Sequence, residues 1–298
     1  MTFTATDLEP VTLGTSALGK RDGADAALAD AMLASPFGQF DTSNAYAAGE
    51  SERTLGDAIA RAGGLPQGSV VITKVDQDPD TGVFDGDRVQ RSYEESLERL
   101  QLDRVPLLHL HDPYTITVKE AFAPGGAVGA LVRLRDEGAV DAIGIAAGTR
   151  ALMEEYVASS AFDAVLTHNR YTLVDRSAER ILELATERGM AVFNAAPFGG
   201  GILAGSKTRG DTYGYRSASD ELMAYIERLR GLAAEHGVDL AAAALQFSMR
   251  EPRIHSTVVG ISSQERLDAL PGLITAMIPD AFWSAVDDLG APPPSPND

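Results

Sequence analysis

The feature that most constrains the fold of this chain is an alternation. Short apolar runs rich in β-branched residues take turns with longer amphipathic segments along almost its whole length. The runs predict strands near 11–14, 38–42, 69–74, 105–111, 140–145, 163–168, 190–195 and 256–260. The intervening stretches predict helices near 24–35, 50–62, 88–101, 126–137, 149–158, 176–188 and 263–270, with two more at 219–236 and 239–250 ahead of the last strand. Strands that alternate with helices run parallel and are joined by right-handed crossovers. The choice is then between an open doubly wound sheet and a closed barrel. Eight repeats in 298 residues, with no composition shift or linker to divide them, point to an α/β chain folded as a single-domain (β/α)8 TIM barrel. The domain is expected to cover 1–290. A flexible tail, 291–298, should follow, because Ala-Pro-Pro-Pro-Ser-Pro-Asn-Asp is too rich in proline to pack. The connection 198–218 is too long for plain joinery, and long loops tend to be functional.

Composition removes several classes of function. With 44% apolar and 23% charged side chains the chain can bury a sizeable core as a soluble globular protein. The absence of cysteine rules out disulfides, thiol catalysis and thiolate zinc sites, and no metal site is expected. A formal charge of −18 repels phosphate backbones, so nucleic acid is not an expected partner. The first residues carry neither the basic nor the apolar region of a signal peptide, and no apolar run approaches the roughly 20 residues that span a bilayer. A cytoplasmic location and no membrane partner are the expectation; no oligomeric state follows.

In such a barrel the active site lies at the C-terminal ends of the strands. Asp41 closes the second predicted strand, Lys74 the third and His111 the fourth, while Tyr46 lies in the loop after the second. Neighbouring strands are about 5 Å apart, so these groups can converge. The set is chemically coherent. A phenol with an ordinary pKa of about 10 exchanges protons poorly near neutrality, and an adjacent ammonium favours its phenolate. A buried lysine needs a carboxylate to stay charged, which Asp41 supplies. An imidazole at His111 can then hydrogen-bond a substrate oxygen beside the phenol. Taken singly, each residue has a plainer reading as a salt bridge, packing group or satisfied polar side chain. His109, on the same strand face as His111, is expected to be structural. A lysine at a strand end also admits Schiff-base chemistry.

The segments Asp-Thr-Ser-Asn-Ala-Tyr-Ala-Ala-Gly-Glu-Ser-Glu (41–52), Ile-Thr-Lys-Val (72–75) and Leu-Leu-His-Leu-His-Asp-Pro (107–113) resemble the signature segments of the aldo-keto reductases, NAD(P)-dependent enzymes on a (β/α)8 barrel. The resemblance runs from about 11 to 275 and implies Asp41, Tyr46, Lys74 and His111 as a catalytic tetrad. Within the family, 170–178, the glycine-rich stretch after strand seven and 211–215 look most similar to the sugar-oxidising branch. This implies oxidation of an aldose such as L-fucose to its lactone, with pyridoxal or a general aldehyde or ketone as the alternative substrate. A cofactor-binding regulatory subunit is the non-enzyme alternative.

A barrel commonly binds phosphate in the loops after strands seven and eight. Pro197, Phe198, Gly199, Gly200, Gly201 and Leu203 follow the seventh strand, and Gly260, Ser262 and Ser263 follow the eighth at a helix start. Ser262 with Glu265 also reads as a capping box. The resemblance matches Arg266 to an NADP-phosphate arginine but places Gly260 and Ile261 where many relatives carry Lys-Ser. Losing that cation removes a bond only NADP can use, so the cofactor is NAD or NADP with NAD favoured. The nicotinamide side departs from the pattern too, with Ala146 and Ala147 for Ser-Asn, His168 for a glutamine and Ala195 for an aromatic. Tyr114, Tyr213 and Tyr215 are expected to line the pocket of a small-molecule carbonyl or alcohol.

Overall fold

The computed structural model describes residues 5, 8–21, 23–205, 211–214 and 216–297. Eight parallel strands close the barrel: β1 (Val11–Gly14), β2 (Gln39–Asp41), β3 (Val70–Val75), β4 (Leu107–His111), β5 (Ala142–Ala147), β6 (Ala164–His168), β7 (Ala191–Ala195) and, after a two-stranded hairpin of β8 (Thr212–Tyr213) and β9 (Arg216–Ser217), β10 (Ser256–Gly260). Their order around the ring is β1, β10, β7, β6, β5, β4, β3, β2. All eight predicted strands are present, with bounds shifted by at most two residues. They were legible because a parallel strand is covered on both faces and so reads as a nearly continuous apolar run.

The outer layer holds α1 (Ala24–Ala34), α2 (Glu50–Arg61), α3 (Gly86–Leu100), α4 (Val118–Ala121), α5 (Ala127–Asp136), α6 (Arg150–Ala158), α7 (Glu179–Glu187), α8 (Asp220–Glu235), α9 (Leu240–Met249), α10 (Gln264–Thr275) and α11 (Asp280–Asp288). The short α4 and the late α11 were not foreseen, and α10 runs five residues past its predicted end, through Pro271. The long 198–218 connection contains a 3-10 turn, Gly199–Ala204, and the β8–β9 hairpin. Among the described residues no single helix is long and apolar enough to cross a membrane. The tail expected to stay unpacked touches the barrel: Pro292, Pro293, Pro294 and Ser295 line a cavity with Asp175 and Arg176, and Arg170 Nη2 donates to the Asn297 carbonyl.

The barrel interior is layered. At the N-terminal end, hydrogen bonds join Thr12 to Ser256 and Gln39 to Thr12. Above them Ile72, Leu107, Ala142, Ala164, Leu166, Ala191, Phe193 and Val258 form an apolar plug. His109 sits in this layer, wholly buried, with its ring edge-on to Phe193 at 5.9 Å. Gly144 makes room for it, since a Cβ there would lie 2.2 Å from His109 Nδ1. Neither ring nitrogen of His109 has a hydrogen-bond partner, and burial followed by the charge of Lys74 pushes its pKa well below the ordinary value. The side chain is a neutral packing group, a structural role as expected, though one without hydrogen bonds among the described residues.

Candidate active site

Strand pairing carries the loop after β2 over the end of β3. Thr42 N–H donates to the Ile72 carbonyl (2.9 Å) and Asn44 N–H to the Lys74 carbonyl (3.2 Å). The Asn44 side chain then ties the loop to α3 through Glu95 and Arg88. A tight turn at Tyr46–Gly49, with Ala47 and Ala48 at positive φ of 52° and 55°, leads into α2. The result places Tyr46 over Lys74, whose Nζ donates to Asp41 Oδ1 (2.7 Å), to the Thr42 carbonyl (2.6 Å) and to Tyr46 Oη (3.3 Å). Nζ also lies 4.7 Å from the Tyr46 ring centre. Lys74 and Asp41 are almost wholly buried. Burial works against the ammonium, but the Asp41 carboxylate and then the Tyr46 oxygen outweigh it and hold Lys74 above the ordinary lysine value.

His111 completes the cluster, its ring edge-on to Tyr46 at 5.7 Å between centres. Its Nδ1 lies 2.7 Å from Asp76 Oδ1 and 3.1 Å from Ser43 Oγ, and its Nε2 lies 3.7 Å from Asp112 Oδ2. Burial depresses the imidazole, yet Asp76 and then Asp112 overcome it, so the His111 pKa is raised overall. Asp76 and Ser43 were not singled out from the sequence. The signal was present: in a strand of period two, residue 76 shares a face with Lys74.

A cavity of about 230 Å³ opens on this cluster, lined by Asp41, Tyr46, Lys74 and His111 with Ser16, Asp112 and His168 among its other walls. All four tetrad positions therefore meet at one site. Opposite them the wall is bare, made of Ala146, Ala195, Ala196 and Val258. His168 faces the same space. Its burial, and the charges of His111, Arg170 and Lys74, push its pKa down to about 4 despite Asp112.

A larger cavity of about 580 Å³ lies beyond the ends of β7 and β10, with Phe198, Leu203, Gly260, Ile261, Glu265 and Arg266 in its wall. Gly260 belongs to both cavities, so an elongated ligand can enter both at once. Other expected cofactor residues take structural places. A Cβ on Gly199 would lie 2.4 Å from the Tyr213 ring and one on Gly200 3.0 Å from the Gly214 carbonyl, so these two glycines seat the β8–β9 hairpin. Gly201 is buried at φ 106° within the turn, and Pro197 lies just ahead of it without lining the cavity. Ser262 offers its carbonyl to Arg21, while Ser263, not Ser262, caps α10 by accepting from Arg266 N–H (3.3 Å).

The aromatic residues expected at the substrate divide. Tyr114 lines a neighbouring cavity with His168, and its hydroxyl accepts from Gly148 N–H (2.8 Å). Tyr213, contrary to expectation, is fully buried, hydrogen-bonded to Thr172 Oγ1 (2.9 Å) and the Asn169 carbonyl (3.0 Å), and does not line the cavity. Tyr215 lies outside the described residues.

Residues 10–291 match the model of the aldo/keto reductase family. The chain belongs to this family. Its members are oxidoreductases that use NAD(P)H. The chain is 30% identical to a pyridoxal 4-dehydrogenase of Microbacterium luteolum, covering 93% of each chain. It is 32% identical to a D-threo-aldose 1-dehydrogenase of a Pseudomonas species, over 82% of this chain and 81% of the other. In fold it is similar to an aldo-keto reductase from Bacillus halodurans in its holo form, with a TM-score of 0.79 at 20% identity over 94% of this chain and 91% of that one.

Proposed function

We propose that this aldo-keto reductase oxidises an aldose such as L-fucose at its hemiacetal carbon to the lactone, with NAD in preference to NADP, and reduces carbonyls by the reverse path. The observation that carries the reading is the Lys74 ammonium held between Asp41 and the Tyr46 hydroxyl at the floor of a cavity that His111 also faces. An ammonium beside a phenol favours the phenolate. Tyr46 Oη, as phenolate, takes the substrate's hydroxyl proton; as phenol, it returns one to a carbonyl oxygen. Asp41 keeps the lysine charged through the cycle, and His111 orients the reacting oxygen. A nicotinamide held beside these groups would supply the acceptor for the hydride that leaves the substrate carbon.

The residues that would hold the dinucleotide are Phe198, Leu203, Gly260, Ile261, Glu265 and Arg266, and the bare Ala146 and Ala195 side of the smaller cavity leaves room for a flat ring. Asp239 and Glu265 stand in the larger cavity alongside Arg230 and Arg266. Two carboxylates balance the two guanidinium groups there, which supports NAD, since the additional phosphate of NADP would find no net positive charge. Asp112 and the neutral His168 offer hydrogen-bond acceptors to a substrate rich in hydroxyl groups.

The test is a panel of L-fucose, D-arabinose, pyridoxal and a simple aldehyde, each run with NAD and NADP in parallel while the absorbance of the reduced cofactor is followed. Aldoses with NAD should give the highest kcat/KM. Pyridoxal as the preferred substrate would replace the sugar reading, and no turnover with any of them would remove it. Tyr46→Phe should lower turnover by roughly 10²- to 10⁴-fold.

A further inference from the structure

Behind His111 stands a carboxylate that the tetrad does not use. Asp76 is buried just past the end of β3 and is fixed at every polar atom. Its N–H donates to Ser92 Oγ (3.0 Å), and its carbonyl accepts from Arg88 Nε (2.9 Å). Oδ2 accepts from the Ser43 hydroxyl (2.6 Å) and Ala45 N–H (3.0 Å), which leaves Oδ1 against His111 Nδ1 at 2.7 Å. Such a carboxylate cannot swing away from the ring.

The protons can be placed by counting donors. Ser43 has one hydroxyl proton, and its short contact with Asp76 Oδ2 uses it. At the 3.1 Å contact between Ser43 Oγ and His111 Nδ1 the serine can therefore only accept. Asp76 is ionised: burial pushes its carboxyl up, but His111, Ser43 and Ala45 N–H outweigh this and hold it below the usual value. Nδ1 thus faces two acceptors and carries a proton. A ring whose Nδ1 proton is committed in this way can donate to a carbonyl oxygen only through a second proton on Nε2.

We propose that Asp76 is a positioning residue that holds His111 as a doubly protonated ring, with Nδ1–H bound to Asp76 and Nε2–H turned to the substrate oxygen. The inference rests on the hydride-transfer reading and deepens it. In reduction the carbonyl oxygen gains electron density as hydride arrives at its carbon, and the imidazolium stabilises that charge until Tyr46 delivers the proton. In oxidation the same cation stabilises the alkoxide left when Tyr46 removes the hydroxyl proton. His111 keeps both its protons throughout.

The groups facing the ring agree in sign. Asp76 from the end of β3 and Asp112 from the residue after His111 favour the cation. Lys74 opposes it, but its charge is already matched by Asp41 at 2.7 Å. His109 below and His168 across the cavity have depressed pKa values and remain neutral near pH 7. Tyr46 meets the ring by its edge.

The test uses the full chain labelled with ¹⁵N-histidine, with the His111 signals assigned by their loss in His111→Gln. At pH 7 both His111 nitrogens should show the shifts of an imidazolium, and their midpoint should lie above the ordinary 6.5. In Asp76→Asn the midpoint should fall by about one unit or more. The basic limb of reductive kcat/KM should move with it, giving about tenfold less activity at neutral pH with little change in cofactor affinity. Because the first measurement reads the unaltered chain and does not depend on Asp76→Asn, it can refute the charged ring even where that variant folds poorly. A neutral ring at pH 7 in the unaltered chain, or an unmoved midpoint and pH limb in a folded Asp76→Asn, overturns the proposal. A failure of hydride transfer with every carbonyl tried would instead count against the reaction, while the nitrogen shifts would still report the charge on His111.

Discussion

Between β2 and β4 the barrel mouth carries Asp41, Lys74, Asp76 and His111, nearly all buried, each charge matched by an opposite one within 2.7 Å. From β5 round to β10 the matching wall is Ala146, Leu166, Ala195, Val258 and Gly260, with His168 alone among them titratable and that residue neutral. Buried charges are costly unless paired, so the first side stays rigid and holds proton-transfer groups at fixed distances. The second side spends no charge. Its small side chains and adjoining 580 Å³ cavity suit a ligand that brings its own charge and ring. Substitutions on the two sides should therefore fail in different ways.

The largest effect is expected at the ion pair. Lys74→Met leaves Asp41 buried without its cation and should lower unfolding free energy by about 3–5 kcal/mol in urea denaturation. Asp41→Asn combined with Lys74→Met removes both charges and should recover at least about 2 kcal/mol of that loss, while turnover stays abolished. A single variant as stable as the parent would show that the charged side is not held together by its pairing.

His168, on the bare side, gives the next effect. Its pKa is about 4 in the fold against an ordinary 6.5, so as pH falls through 6.5 the unfolded chain takes up a proton that the folded chain refuses until about pH 4. Stability is therefore lost across that window, by up to about 3 kcal/mol. The raised His111 works in the opposite sense: its contribution is complete below 6.5 and disappears as pH climbs through its folded value. His168→Gln should flatten the acid slope between pH 6.5 and 4 in urea titrations. An unchanged slope would mean that His168 is not desolvated.

What the sequence made legible follows from the range of the interactions. The strands and most helices were readable because apolar periodicity is local, and Asp41, Tyr46, Lys74 and His111 because a strand end fixes where a side chain points. Tyr213 was misplaced because its partners, Thr172 and Asn169, lie more than forty residues away, and nothing within Thr212–Tyr213 records that contact. The hairpin was hidden in the same way, since its two-residue strands are too short for a period. Helix α11 opens on Pro279 without a side-chain cap, which removes the usual start signal. Asp76 is on the same strand face as Lys74, but its partner His111 lies thirty-five residues on, so the pairing is not written in the local sequence.

On the bare side, charge can be added rather than removed. A Cβ at Gly260 meets nothing within 4 Å, so Gly260→Lys should fold normally. The new ammonium should raise affinity for NADP relative to NAD by about tenfold, in line with the roughly 1.5 kcal/mol of one charge-assisted hydrogen bond. Calorimetric Kd values for the two cofactors check this. An unchanged ratio would place the 2'-phosphate away from the end of β10.

The smallest effect separates two roles for one hydroxyl. Ser263 is the N-cap of α10, whose first turn presents Glu265 and Arg266 to the larger cavity. As a cap its oxygen occupies an otherwise unpaired Arg266 N–H, and Ser263→Ala should cost about 1 kcal/mol of stability. Gly at this position should cost only a few tenths, because Gly is itself a tolerated cap and water then reaches the N–H. A hydroxyl that served the dinucleotide instead would give the reverse pattern, with cofactor Kd weakened equally by Ala and Gly and denaturation midpoints unmoved. Measuring both quantities on both variants therefore tells whether the Ser263 hydroxyl at the end of β10 serves the helix or the ligand.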